Sequence, residues 1–200
     1  MSEGEVALAK AQGKYLTRNP VYRSLVGGFF RTAEDLLRSV HAEHVLDMGC
    51  GEGYAANRIH PWLLPRRMVG IDLSQPMLAQ AHQNYPSISF TAGTAYELPF
   101  PNGTFDLVVV MEVLEHLEHP PEALGEVQRV GRGYVLASVP LEPIWRLLNM
   151  ARGAYWPALG NTPSHLQHWT RSAFLAMLRR RFTILQVRAP FPWTMALCSI

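Results

Sequence analysis

Glu112-Val113-Leu114-Glu115-His116 sets two carboxylates and an imidazole at positions i, i+3 and i+4. On a helical turn these three share one face. Such a group can hold a divalent cation, or take a proton from a hydroxyl. Three ligands do not close a cation site. The candidates for a fourth are His165 and His168, in Ser164-His165-Leu166-Gln167-His168-Trp169. The other chemical feature is Asp47-x-Gly49-x-Gly51-x-Gly53. Glycine lets a ligand reach main-chain atoms, and a following helix offers N–H groups with no partner in the helix. Asp72 ends the next apolar run, where one carboxylate can accept both protons of a ribose diol. The spacing argues against a dinucleotide, whose fingerprint is G-x-G-x-x-G. Tyr54 stands where the third glycine belongs, and Asp47 would repel a pyrophosphate. A carboxylate there suits a cation, either an amino group or a sulfonium.

Short apolar runs must carry these residues. Strands are predicted at 44–48, 68–72, 88–92, 105–111, 134–139 and 182–187, with a seventh from Trp193 to Ile200. The run 105–111 is apolar on both faces and reads as central. Between the runs lie helical patterns. Ser74 and Pro76 open one whose inward stripe is Met77, Leu78 and Ala81. Pro121 to Val130 is another, and Thr170 or Ser172 caps a third carrying Phe174, Leu175 and Leu178. Residues 5–40 hold two helical stretches broken at Thr17-Arg18-Asn19-Pro20. Residues 141–168 interrupt the alternation with a helix whose stripe is Ile144, Leu147, Leu148 and Ala151, then a loop. The prediction is one α/β domain over 1–200. It is Rossmann-like and doubly wound, with seven strands, mostly parallel and one antiparallel, and helices on both faces. An N-terminal helical lid spans 5–40, and a small lid insertion, 141–168, follows strand five.

The 200 residues include 15 Gly, 15 Pro and 48% apolar residues, which excludes collagen, coiled coil and wholesale disorder. No apolar run is long enough to span a bilayer. Met1-Ser2-Glu3-Gly4-Glu5 has no signal-peptide character, and two cysteines make no disulfide framework. The expected location is cytoplasmic, without membrane insertion. A net charge of +2 conceals an asymmetry: all 16 acids lie at or before Glu142, and residues 143–200 carry seven Arg and no acid. Arg179-Arg180-Arg181 reads as a solvated helix end.

Val45-Leu46-Asp47-Met48-Gly49-Cys50-Gly51-Glu52-Gly53 resembles the first motif of the seven-stranded, class I S-adenosylmethionine (SAM) dependent methyltransferases, of the type 11 kind. Ile71-Asp72-Leu73-Ser74 resembles their ribose motif. Gly93-Thr94-Ala95-Tyr96-Glu97-Leu98-Pro99-Phe100 resembles the adenine-side motif, and Phe105-Asp106-Leu107-Val108 the fourth. The resemblance implies that Asp47, Gly49, Cys50 and Gly51, with Glu112, hold the methionine end. It assigns the ribose to Asp72 and Leu73, and the adenine to Thr94 and Ala95. Thr94 departs from the family's usual Asp, which weakens that contact. Tyr15 lies where relatives fold a helix over the cofactor.

Glu-x-x-Glu-His after strand four, with a later His before an aromatic, resembles two narrower groups. They are the O-methyltransferases of ubiquinone biosynthesis and the small-RNA 3′-end 2′-O-methyltransferases. The second resemblance implies a divalent metal (Mg, Mn or Co) on Glu112, Glu115, His116 and His165. Many methyltransferases carry the same string without metal, and there the position of His116 points toward the methyl group as a base or merely packs. Two mechanisms therefore stand open for the catalytic candidates His116, Glu115 and His165. The expected acceptor is a hydroxyl of a small molecule, a vicinal diol or catechol. An RNA end is the alternative, disfavoured because no RNA-binding module is attached. A SAM-binding protein without activity is a third reading.

Overall fold

In the computed structural model, residues 19–200 are described, apart from 152, 154, 155 and 163. Helix α1 (Pro20–Leu37) begins where Asn19 caps it, its Oδ1 accepting from the N–H groups of Val21 and Tyr22. Val26, Phe29, Phe30, Ala33, Leu36 and Leu37 form the buried stripe of α1, whereas Val21 is 68% exposed because it sits in the first turn, beyond the sheet. The alternation follows: β1 (His44–Met48), α2 (Tyr54–Leu63), β2 (Arg67–Asp72), α3 (Gln75–Asn84), β3 (Ser89–Ala92) and β4 (Phe105–Met111). A 3₁₀ turn (Leu114–His116), α4 (Pro120–Val130) and β5 (Gly131–Pro140) come next. The insertion holds α5 (Ile144–Ala151) and a second 3₁₀ turn (Trp156–Ala158); α6 (Arg171–Leu178), β6 (Thr183–Arg188) and β7 (Trp193–Ser199) complete the chain.

The strand order is β3-β2-β1-β4-β5-β7-β6. β1 to β5 pair in parallel, and β7 enters antiparallel between β5 and β6. Alternate side chains serve alternate faces. Val45, Leu107, Val109, Leu136, Met195 and Leu197 pack under α1, α2 and α3. Leu46, Val108, Val110, Val135, Ala137 and Ala196 pack under α4 and α6. Strand order reverses between β1 and β4, which opens a crevice beyond their carboxyl ends, where ligands bind in such sheets.

Two local expectations fail. Ser74 stands at the N-cap of α3 but its side chain makes no cap bond; its backbone N–H donates instead to Asp72 Oδ1 (2.8 Å). In α5 none of Ile144, Leu147, Leu148 and Ala151 is buried, and the buried side chain is Asn149. Asn149 donates to Gly160 O (2.8 Å) and Thr162 Oγ1 (3.2 Å), which ties the helix to the loop that follows it, while Trp145 packs on the core.

At the opposite end of the sheet Asp106 joins three strands. Its Oδ2 accepts from the N–H groups of Glu43 and His44 (3.0 and 2.9 Å), and its Oδ1 accepts from Arg132 Nε (2.7 Å). Burial pushes this carboxyl up, but the Arg132 hydrogen bond, the two N–H groups and the Arg132 charge together pull it down to about 2. The stability it contributes is complete above the ordinary carboxylate range and is lost as pH falls through about 2. Asp106→Ala is expected to lower unfolding free energy by about 1–3 kcal/mol at neutral pH, because backbone donors lose their acceptor. Urea midpoints of the two chains check this, and the gap should narrow toward pH 2.

Candidate active site

After β1 the backbone turns through three left-handed glycines, Gly49 (φ 73°), Gly51 (52°) and Gly53 (79°). Gly49 is required twice over: its φ excludes most side chains, and a Cβ there would lie 2.5 Å from Val113 Cγ2. The N–H groups of Gly49 and Cys50 donate to Ile71 O (2.8 and 3.0 Å), and that of Gly53 to Cys50 O (2.9 Å). Asp72 completes the anchoring: Oδ2 accepts from Gly51 N–H (2.8 Å) and Oδ1 from Ser74 N–H. Each oxygen retains a lone pair for a further donor. The Cys50 thiol is buried, and burial, then the charges of Asp47 and Asp72, push its pKa up, so it packs as a small apolar group.

A cleft of about 260 Å³ opens here, walled by Gly49, Asp72, Leu73, Thr94, Glu112 and His116. Ala95 and Tyr96 continue the wall. Thr94 Oγ1 accepts from Tyr96 N–H (3.3 Å), and the Tyr96 hydroxyl accepts from His119 N–H (3.2 Å), which fixes that side. Asp47 stands behind the wall, 2% exposed, and its Oδ2 has no hydrogen-bond partner among the described residues. Burial, then the Asp72 charge, raise its pKa to about 7, with the Ala56 N–H pulling the other way. Two neighbouring acids, one of them buried, make this end of the cleft favourable for a cation.

The sequence places Glu112, Glu115 and His116 on one helical face; the structure separates Glu112. Glu112 has φ 60°, a left-handed conformation that costs about 1–2 kcal/mol for a non-glycine residue. The helical turn begins only at Leu114, so Glu112 points elsewhere. Its carboxylate accepts from Trp193 Nε1 (2.7 Å) and Ser138 Oγ (3.3 Å). Ligand atoms of Glu115, His116 and His165 lie within 4.8 Å of one another. Of the two histidines in the insertion it is therefore His165 that meets the turn; His168 instead pairs with Asn161 Oδ1 (2.7 Å).

Glu115 and His165 are buried and His116 is half-exposed. His116 Nδ1 lies 2.7 Å from Ser164 O. A carbonyl only accepts, so Nδ1 carries the hydrogen and the neutral ring keeps its lone pair on Nε2. That atom lies 3.9 Å from Glu115 Oε1. The insertion is fastened over the turn, with Leu166 and Gln167 N–H groups donating to Glu115 O (2.8 and 3.0 Å). The His165 ring stacks on Trp145 (6.1 Å, 23°) and meets His116 edge-on (5.1 Å, 78°). Trp145 in turn contacts Trp193 (5.7 Å). Sequence reasoning missed Trp193 and Ser138 as partners of Glu112; contacts at separations of 81 and 26 residues leave no local signal. The proline-flanked Trp193 offers only a buried aromatic. Tyr15 lies outside the described residues.

Residues 46–135 match the family model described as a methyltransferase domain. A probable S-adenosylmethionine-dependent methyltransferase of Mycolicibacterium smegmatis is 38% identical over 98 residues, covering 48% of this chain and 37% of that protein. The phthiotriol/phenolphthiotriol dimycocerosates methyltransferase of Mycobacterium leprae is 33% identical over 124 residues, covering 60% of this chain and 45% of that protein. The chain thus spans less than half the length of these curated relatives. The solved magnesium protoporphyrin IX methyltransferase of Synechocystis PCC 6803, with bound SAH, shares the fold. Its TM-score is 0.71 at 15% identity, over 98% of this chain and 94% of that one.

The raised Asp47 pKa makes a stability prediction. A carboxyl raised to about 7 penalises the folded state increasingly as pH climbs from its ordinary value of 3.8, and fully above about 7. Asp47→Asn is therefore expected to raise the Tm at pH 8 and to lose that advantage as pH falls toward 4, in thermal melts across that range.

Proposed function

We propose that this chain, whose residues 46–135 match the methyltransferase-domain model, transfers a methyl group from SAM to a hydroxyl of a small molecule, a vicinal diol or catechol. The observation that carries the reading is a single cleft with the glycine turn and Asp72 at one end and His116 at the other. The cleft fits the donor. Asp72 keeps two lone pairs facing a ribose diol, Leu73 and Thr94 border a space suited to the adenine, and Asp47 lends negative charge from behind Gly49. When bound, SAM supplies a methyl group already activated by its sulfonium. The protein's work is alignment and proton removal. Gly49 and Glu112 shape the methionine end. His116 Nε2 takes the proton that the acceptor hydroxyl loses, and Nδ1–H, held by Ser164 O, fixes the ring for it.

The cluster of Glu115, His116 and His165 favours a second version. These residues would hold a divalent cation, whose charge would lower the pKa of the acceptor hydroxyl. With Glu112 engaged elsewhere, one carboxylate and two imidazoles suit Mn²⁺ or Co²⁺ better than Mg²⁺. Nε2 of His116 cannot be ligand and base at once, so the versions exclude each other. An RNA acceptor fits less well. Arg179, Arg180 and Arg181 follow the end of α6, where β6 begins, at the sheet edge opposite the cleft.

Two measurements test these statements. Incubation with labelled SAM and a panel of diols and catechols is expected to give a methyl ether; SAM binding without product from any hydroxyl acceptor overturns the transferase reading. Exhaustive chelation then divides the versions. Loss of activity, restored by Mn²⁺ or Co²⁺ and mimicked by Glu115→Gln, supports the cation. Full activity after chelation, with kcat lowered on the order of 10²–10⁴-fold by His116→Ala, supports the direct base.

A further inference from the structure

We infer that the lid side of the cleft edge docks on an anionic lipid surface. Helix α5 rests on the core through Trp145 but leaves an apolar side outward, with Leu147 56% exposed. The segment beyond continues the pattern, with Trp156 61% and Leu159 65% exposed and Leu166 also open. The topology adds Phe191. β5 and β6 run in the same direction, so the insertion after β5 and the turn after β6 leave the sheet at one edge, the edge of the cleft. Leu141 N–H donates to Pro192 O (2.9 Å), joining the two segments, and Phe191 beside it is exposed.

The charge carried by these segments has one sign, unlike that of the acids at the neighbouring ends of β1, β2 and β4. Arg146 lies in α5, Arg171 opens α6, and Arg188 ends β6. Residues 143–200 contain no acid, and Glu142, the last one before them, is buried. Exposed Leu, Trp and Phe among arginines are the composition of an interfacial segment, whose apolar groups enter the headgroup boundary while cations meet anionic lipid. A second copy would bring the same arginines face to face, so charge complementarity favours a negative surface over self-association.

The test is sedimentation of the full chain with vesicles of phosphatidylcholine alone or mixed with phosphatidylglycerol. No methyl donor is present, so the outcome stands apart from catalysis. Binding to the mixed vesicles is expected to exceed binding to the neutral ones by roughly 10-fold or more and to weaken with salt. Leu147→Ser with Leu159→Ser, both at exposed positions, should lower it by about 10-fold or more at unchanged Tm. Arg171→Gln with Arg188→Gln should erase the preference for phosphatidylglycerol. Trp156 emission should shift to the blue on binding, a change missing from Trp156→Phe. Absence of sedimentation at low salt overturns the proposal. So does binding that the leucine variant leaves intact, or a dimer that the variant dissolves in a chain that ignores vesicles.

Discussion

The Asp72 carboxylate is the contact on which the cleft depends. Three left-handed residues within five, at Gly49, Gly51 and Gly53, form a turn that loses much conformational entropy on folding. Fixed acceptors offset that loss, and β2 supplies most of them. The parallel register pairs Met48 with Ile71, so the carbonyl of Ile71 stands where Gly49 and Cys50 present their N–H groups. One residue further, Asp72 takes Gly51 with one oxygen and Ser74 with the other. The loop after β1 and the start of α3 are thus bound to the same side chain. A carboxylate is suited to this, because two oxygens with four lone-pair sites can hold two backbone loops and still face a ligand.

The other wall is held over a longer reach. Glu112 sits in a strained conformation at the end of β4, and its partners come from β5 and β7. Trp193 is the junction. Its indole N–H donates to Glu112, while its ring meets Phe29 of α1 (5.0 Å) and Trp145 of the insertion. Trp145 then stacks on His165, and His165 meets His116. The position of the imidazole beside the cleft is therefore linked through packed rings to the core under α1. These contacts join the seat of the insertion to the residue that holds Glu112.

Much of this was legible in the sequence. The glycine spacing, Asp47 and Asp72 sit at strand ends that periodicity already located, and strand alternation carried the doubly wound sheet. All these signals are local, which is why they survive in one dimension. Glu112 was misread because its spacing to Glu115 and His116 assumed a helical turn. The left-handed residue that prevents it leaves no mark on a glutamate. The stripe of α5 was misread for a related reason. Leu147 and its neighbours have helical spacing, but spacing cannot say which face meets the protein. Asn149 decides that through bonds to Gly160 and Thr162. His165 was separable from His168 only by a resemblance; in the fold the Trp145 stack and the Glu115 carbonyl select it.

The uneven charge of the sequence takes its sense from the strand order. Asp47, Asp72, Glu112 and Glu115 come from the ends of β1, β2 and β4, on both sides of the switch point. Burial, then the Asp72 charge, raise the pKa of Asp47, so its ionised form weighs against the folded chain. Protonation or a positive partner relieves it. Arg146 bonds to Leu159 O, Arg188 to Gln186, and Arg181 to Gln128. A chain whose charges neutralise only on average keeps two unlike surfaces on one edge, acids at the ends of β1, β2 and β4 and arginines on the side of the insertion.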